Sequence, residues 1–220
     1  MLQAREPAFR PGCYPTLLVI LTALFAVAGP GFAPRALAQD EWRDIPTYES
    51  DLTLPVLTDL KVVSTSYRNR SNRARENFHL IESDGMWGFF LTSVVIHGFY
   101  REGSISWFRK EGRFSEELTD WLKLKPGSLA DLKPIEHRSA RSSGFTARAR
   151  NEDSEDCLVA GGAYRFRGAS GGDNDRGQFD TIVVGMLCGA SAKLQDLEIY
   201  MTEVDKVRDR DSFRAALDRR

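Results

Sequence analysis

Apolar residues gather in short runs that turn-forming residues interrupt, the spacing of strands rather than of long helices. Phe78-His79-Leu80-Ile81-Glu82 and Met86-Trp87-Gly88-Phe89-Phe90-Leu91 flank Ser83-Asp84-Gly85. Asp-Gly between two apolar runs is a strong hairpin signal, because the turn requires positive φ. Val94–Tyr100 and Ser104–Arg109 flank Arg101-Glu102-Gly103 in the same way, so residues 78–110 read as an antiparallel meander. Further strands are expected over Leu57–Ser66, Leu132–Arg138 and Gly144–Arg150, the last alternating Phe145, Ala147 and Ala149 with Thr146, Arg148 and Arg150.

Helical spacing is less common. Ser115-Glu116-Glu117 before Leu118, Trp121 and Leu122 predicts a capped helix that ends ahead of Pro126-Gly127. Over 192–208, Leu194, Leu197, Met201 and Val204 fall on one helix face, yet Leu197, Ile199 and Met201 also alternate, so the pattern admits helix or strand. Asp211 or Ser212 is expected to cap a final helix, Phe213–Arg219. The fold class is therefore α+β, mainly antiparallel sheet in a meander of hairpins, with two or three short helices.

The sharpest pattern lies near the C-terminal end. Leu158–Phe166 and Phe179–Leu187 are apolar and β-prone, and between them Gly168–Gly177 is almost wholly turn-forming. Set antiparallel with Cys157 opposite Cys188, they pair Leu158 with Leu187, Val159 with Met186, Ala163 with Ile182, Tyr164 with Thr181, Arg165 with Asp180 and Phe166 with Phe179. Apolar mostly meets apolar, and the one base meets the one acid. Opposed residues on such strands are close enough to bridge, so an inter-strand disulfide Cys157–Cys188 is expected. Neither cysteine belongs to a C-x-x-C or has a base beside it, which points to a structural staple rather than a redox centre.

The first residues read differently. Arg5 and Arg10 precede an uncharged run, Thr16–Ala28, followed by Gly29-Pro30-Gly31 and Ala36-Leu37-Ala38. A basic start, an apolar stretch too short to span a bilayer and small residues before the cut form a secretory leader, cleaved after Ala38. The remaining cysteine, Cys13, would leave with it. The expected organisation is a signal peptide at 1–38, an extended lead-in at 39–55, one globular sheet domain at 56–202 and a helical tail at 203–220. Such a chain would be periplasmic or secreted, which suits a disulfide, and nothing after the leader is long and apolar enough to span a membrane.

Composition narrows the partners. The chain has 30 basic and 31 acidic side chains, a formal net charge of −1, so nucleic acid is not an expected partner. The three histidines, His79, His97 and His137, show no metal-ligand spacing. Gly168-Ala169-Ser170-Gly171-Gly172 matches a nucleophile elbow only in letters, because an elbow joins a strand to a helix. Asp173-Asn174-Asp175-Arg176-Gly177 lacks the later ligands of a calcium loop. No catalytic residue, metal or other cofactor is expected.

Two features point to binding. Aromatics are dense over 86–121, and Trp87, Tyr100 and Trp107 are candidates for an exposed surface that stacks on a sugar or peptide, although most of this set is needed for the core. Arg68, Arg70 and Arg73, with Arg75, form a basic cluster suited to an anionic envelope polymer. Residues 145–202, with a strand from Cys157, a Gly-rich hairpin and Gly-Met-Leu-Cys-Gly at 185–189, resemble small secreted bacterial proteins of unknown function with a disulfide-stapled C-terminal hairpin. The likeness implies a periplasmic disulfide-bonded domain and no catalytic residue. The expected function is a non-enzymatic module that binds an envelope protein or polymer, with the oligomeric state open. The alternative is a cell-envelope hydrolase or transferase whose site combines His79 or His97 with Glu82, Asp84 or another acid.

Overall fold

The computed structural model describes residues 41–70, 74–83, 85–95, 99–100, 105–166 and 179–219. The expected leader, His97, Arg73, Asp84, the Arg101-Glu102-Gly103 turn and the 168–177 tip lie outside them. The described part is α+β, built mainly on antiparallel sheet with a few short helices and one disulfide.

Ten strands are present among the described residues: β1 (Arg43–Asp44), β2 (Leu52–Thr53), β3 (Val62–Asn69), β4 (Ala74–Ser83), β5 (Met86–Val95), β6 (Ala130–Pro134), β7 (Arg141–Arg150), β8 (Asp156–Arg165), β9 (Thr181–Gly189) and β10 (Asp205–Lys206). Eight make one sheet in the order β1-β3-β4-β5-β9-β8-β7-β6, and β2 pairs with β10 in a second. Every ladder is antiparallel. The helices are α1 (Pro55–Asp59), α2 (Glu111–Leu122), α3 (Leu194–Thr202) and α4 (Arg210–Leu217), with 3₁₀ turns at Thr47–Glu49 and Ser106–Arg109.

The sheet is held at its centre by β8 and β9. Cys157 faces Cys188, and the ladder runs in the expected register to Tyr164 opposite Thr181. The two cysteines are disulfide-bonded, with Cα atoms 4.0 Å apart. Side chains of alternate parity enter two separate cores, one on each face. Leu158, Ala160, Tyr164, Val183 and Leu187 join a first core with Leu52, Leu54, Phe90, Leu197, Met201 and Phe213. Cys157, Val159, Ala163, Val184 and Met186 join a second with Ile105, Phe108, Phe114, Leu118 and Leu122. Burial on both faces explains why β8 and β9 read as nearly continuous apolar runs. Their glycines serve close packing. A Cβ on Gly161 would stand 2.9 Å from Phe114 Cε2, and one on Gly185 would stand 2.5 Å from Phe90 Cδ1.

β4 and β5 form the expected hairpin, with Ser83 opposite Met86 and Gly85 at φ +70°. The expected pairing of Val94–Tyr100 with Ser104–Arg109 does not form among the described residues. β5 pairs along its other edge with β9, from Met86–Gly189 to Val94–Thr181. Residues 106–109 turn into a 3₁₀ helix, with Phe108 buried and Trp107 stacked on Phe108 and Phe114 at centroid distances of 3.7 and 5.7 Å. The apolar, β-branched Thr181–Gly189 offers β5 a longer and better buried partner than 104–109 could.

Other boundaries move for local reasons. Pro55 sits in the first turn of α1, with Val56 and Leu57 buried, so β3 starts at Val62 rather than Leu57. Helix α2 begins four residues before Ser115, because Phe114 joins Leu118 and Leu122 on its buried face. The ambiguous 192–208 stretch is helix to Thr202 and then strand at Asp205–Lys206. Ile199 is 42% exposed, so the apparent alternation is not a buried face. Helix α4 is capped by Asp209, which accepts from Asp211 N at 3.1 Å, not by Asp211 or Ser212.

The chain's two flanks meet. β1 pairs with β3, β2 pairs with β10, and α4 packs on the 47–49 turn. The buried carboxylate of Asp180 accepts from Thr181 Oγ1 at 2.8 Å and lies 3.4 Å from Lys206 Nζ, which links β9 to β10. Among the described residues no helix is long and apolar enough to cross a membrane.

The bridge closes a loop of 31 residues. Its removal in a Cys157→Ala/Cys188→Ala variant is expected to cost about 3–4 kcal/mol, a melting-temperature loss of roughly 10 °C, read by calorimetry under non-reducing conditions. An unchanged melting temperature would show that the ladder needs no staple.

Candidate functional site

The candidate site is the part of the second-core face carried by β3, β4 and β5. Helix α2 and the 106–109 turn pack on β7 and β8. Beyond that cover the face continues as successive cross-strand rows. Arg68, Glu76 and Ser93 make one row; Ser66, Phe78 and Leu91 the next; Ser64, Leu80 and Phe89 a third; Glu82 and Trp87 the last. Trp87 in turn lies opposite Cys188, so the face is continuous with the stapled ladder. Phe78, Leu80, Trp87, Phe89 and Leu91 are each half-buried, unlike the sealed positions on the reverse face of β5.

The first row is a hydrogen-bonded chain. Arg68 Nε is 2.7 Å from Glu76 Oε2, and Arg70 Nε is 3.7 Å from Oε1. Ser93 Oγ reaches Oε1 at 3.5 Å and itself accepts from the Tyr100 hydroxyl at 2.6 Å. Tyr100 is anchored by its own N–H to Phe179 O at 2.8 Å. Burial pushes its phenol up to about 12, and the neighbouring Glu76 and Asp180 carboxylates push the same way, so it stays a neutral donor.

An aromatic run adjoins this row. Trp42, just ahead of β1, meets Phe78 edge-on at 6.2 Å, and Phe78 stacks on Phe89 at 5.4 Å. The Arg68 guanidinium lies 4.2 Å from the centroid of Trp42, within cation–π range. Arg68 thus joins the charged row to the aromatic one.

Of the seven residues expected to form a binding surface, Arg68, Arg70 and Tyr100 converge on the Glu76–Ser93 pair, whereas Arg75 lies on the reverse face, paired with Asp51 at 3.2 Å. Trp87 shares their face but stands three rows away. Trp107 is taken up in the stack over the second core, and Arg73 lies outside the described residues. Trp42, Glu76, Phe78, Phe89 and Ser93 complete the site. Glu76 and Ser93 could have been found by carrying the 78–91 hairpin register outward, which places them opposite one another.

The described histidines face elsewhere. His79 lies on the opposite face of β4 from Glu82 and is fully buried, its Nδ1 3.1 Å from Thr65 Oγ1, which is in turn 3.0 Å from Thr47 Oγ1. Desolvation holds its pKa at about 3. His137 donates from Nε2 to Val204 O at 2.6 Å and accepts at Nδ1 from the N–H groups of Ser139 and Ala140, clamping that turn to the C-terminal segment. Among the described residues no group of three His, Cys, Asp or Glu side chains could hold a metal ion.

No protein-family model, curated protein or solved structure is significantly similar to this chain.

The buried His79 makes stability depend on pH with a definite sign. The unfolded chain takes up a proton near pH 6.5, while the folded chain resists until about pH 3. Stability is therefore full above 6.5 and falls by about 1.4 kcal/mol per unit below it. Between pH 7 and 5 the decline of the wild type in urea is expected to exceed that of His79→Asn by about 2 kcal/mol. Equal declines would mean that His79 is not held neutral.

Proposed function

We propose that this chain is exported through a leader cleaved after Ala38 and works in the periplasm, or beyond it, as a non-enzymatic module that binds an envelope component. The observation that carries the reading is the Trp42–Phe78–Phe89 run beside Arg68, Arg70 and Glu76 on one half-covered sheet face. Flat rings give large contact area at low entropic cost, and guanidinium groups orient carboxylates, phosphates or sulfates. Export is supported by the basic, apolar and small-residue succession of 1–38 and by the buried Cys157–Cys188 bridge, which persists in an oxidising space. The row Arg68–Glu76–Arg70 carries more positive than negative charge, which favours an anionic group on the partner.

Two measurements test this reading. Intact mass of the protein from its native host should correspond to a chain starting at Gln39 with no free thiol. A chain beginning at Met1, or one with two titratable thiols, would refute export. In pull-downs from solubilised envelope, an Arg68→Glu/Phe89→Ser variant should lose at least 10-fold of what the wild type retains, as expected for anchor residues worth more than about 1.4 kcal/mol. Equal retention would refute the assignment of this face.

A further inference from the structure

A cavity of about 220 Å³ opens on the other face of the sheet, at the end where β5 begins and β9 finishes. Its floor is apolar: Met86 and Leu187, both sealed into the first core, with Leu60 from the end of α1 as a wall. The turn after β9, closed by Ala192 N–H on Gly189 O, carries Ser191 and then Lys193 onto the rim. Asp196, in the first turn of α3, completes it, and Tyr200 stands four residues further along the same helix.

The rim carries opposite charges, Lys193 and Asp196, that form no ion pair with each other. Among the described residues neither Lys193 nor Asp196 makes an ion pair or side-chain hydrogen bond. Burial first, and then the nearby Asp59 and Asp196 carboxylates, raise the Tyr200 phenol to about 12, so it stays neutral. A ligand carrying one charge would satisfy one rim group and be repelled by the other. A ligand carrying both, with an apolar body between them and the floor, would satisfy all three surfaces.

We propose that this cavity binds one aliphatic α-amino acid as its zwitterion, with the carboxylate toward Lys193, the ammonium toward Asp196 and the side chain on Leu60, Met86 and Leu187. The volume supports that size, since it equals about seven water volumes and lies below the roughly 300 Å³ at which pockets for drug-sized molecules begin. The site is distinct from the β3–β5 face, on the reverse of the sheet, and stands whether or not that face binds an envelope component.

The test is a titration of the ¹⁵N-labelled full chain with L-leucine, with 4-methylpentanoate, which lacks the ammonium, and with 3-methylbutylamine, which lacks the carboxylate. Leucine should saturate amide shifts confined to the residues that line the cavity, around Leu60, Met86 and 187–200, and bind about tenfold or more tightly than either fragment. Asp196→Asn should remove that advantage over 4-methylpentanoate, and Lys193→Gln the advantage over 3-methylbutylamine. Lys193 is exposed and Asp196 half-buried, and unchanged far-ultraviolet dichroism would confirm the fold of both variants. No saturable shift at millimolar leucine, shifts centred elsewhere, fragments that bind as well as leucine, or variants that bind leucine as the wild type does would each overturn the proposal.

Discussion

The β8–β9 ladder is the constraint on which the other packing depends. Because both of its faces are buried, a slip of one residue would exchange the two cores and drive Tyr164 and Leu187 into the space shaped for Ala163 and Cys188. The Cys157–Cys188 bond forbids that slip. With the register set, β5 has one edge of β9 to pair with and β7 has one edge of β8. The two hairpin series, β3–β4–β5 and β6 to β9, then join at a single seam.

The two faces are finished differently, and that difference places the candidate surfaces. The first core is covered by α1, α3, α4 and the small β2–β10 sheet, segments drawn from both flanks of the chain. The second is covered by α2 and the 106–109 turn over β7 and β8. Among the described residues one helix and the 106–109 turn cover this side, the β3–β5 portion is half-exposed, and there the sequence places aromatics and charge rather than a sealed aliphatic layer. The cavity beside α3 arises where the first cover ends at the rim of the sheet.

Much of this was legible from local pattern. The register of β8 on β9 followed from placing Cys157 opposite Cys188, which sets mostly apolar residues against apolar ones as far as Tyr164 and Thr181. The 78–91 hairpin followed from Asp84-Gly85. What failed to show was long-range choice. Ser104–Arg109 looks like a strand in isolation, but β5 could pair with only one partner on that edge, and Thr181–Gly189 was the better one. The site was half legible for the same reason. Arg68 and Tyr100 stand out by type, whereas Trp42 and Glu76 acquire meaning only when β3 and β4 bring them under one guanidinium.

The β2–β10 pairing has a temporal side. It ties Leu52 and Thr53 to Lys206 and Asp205, with Thr53 and Asp205 separated by 152 residues of sequence. The first core, which both segments help to roof, closes fully only when these two distant segments have paired. Long-range closure of this kind slows folding. Pro55–Asp59 and Leu194–Thr202 cover part of that core by themselves, so its last layer, with Val204 and Phe213, settles only once the two strands have met.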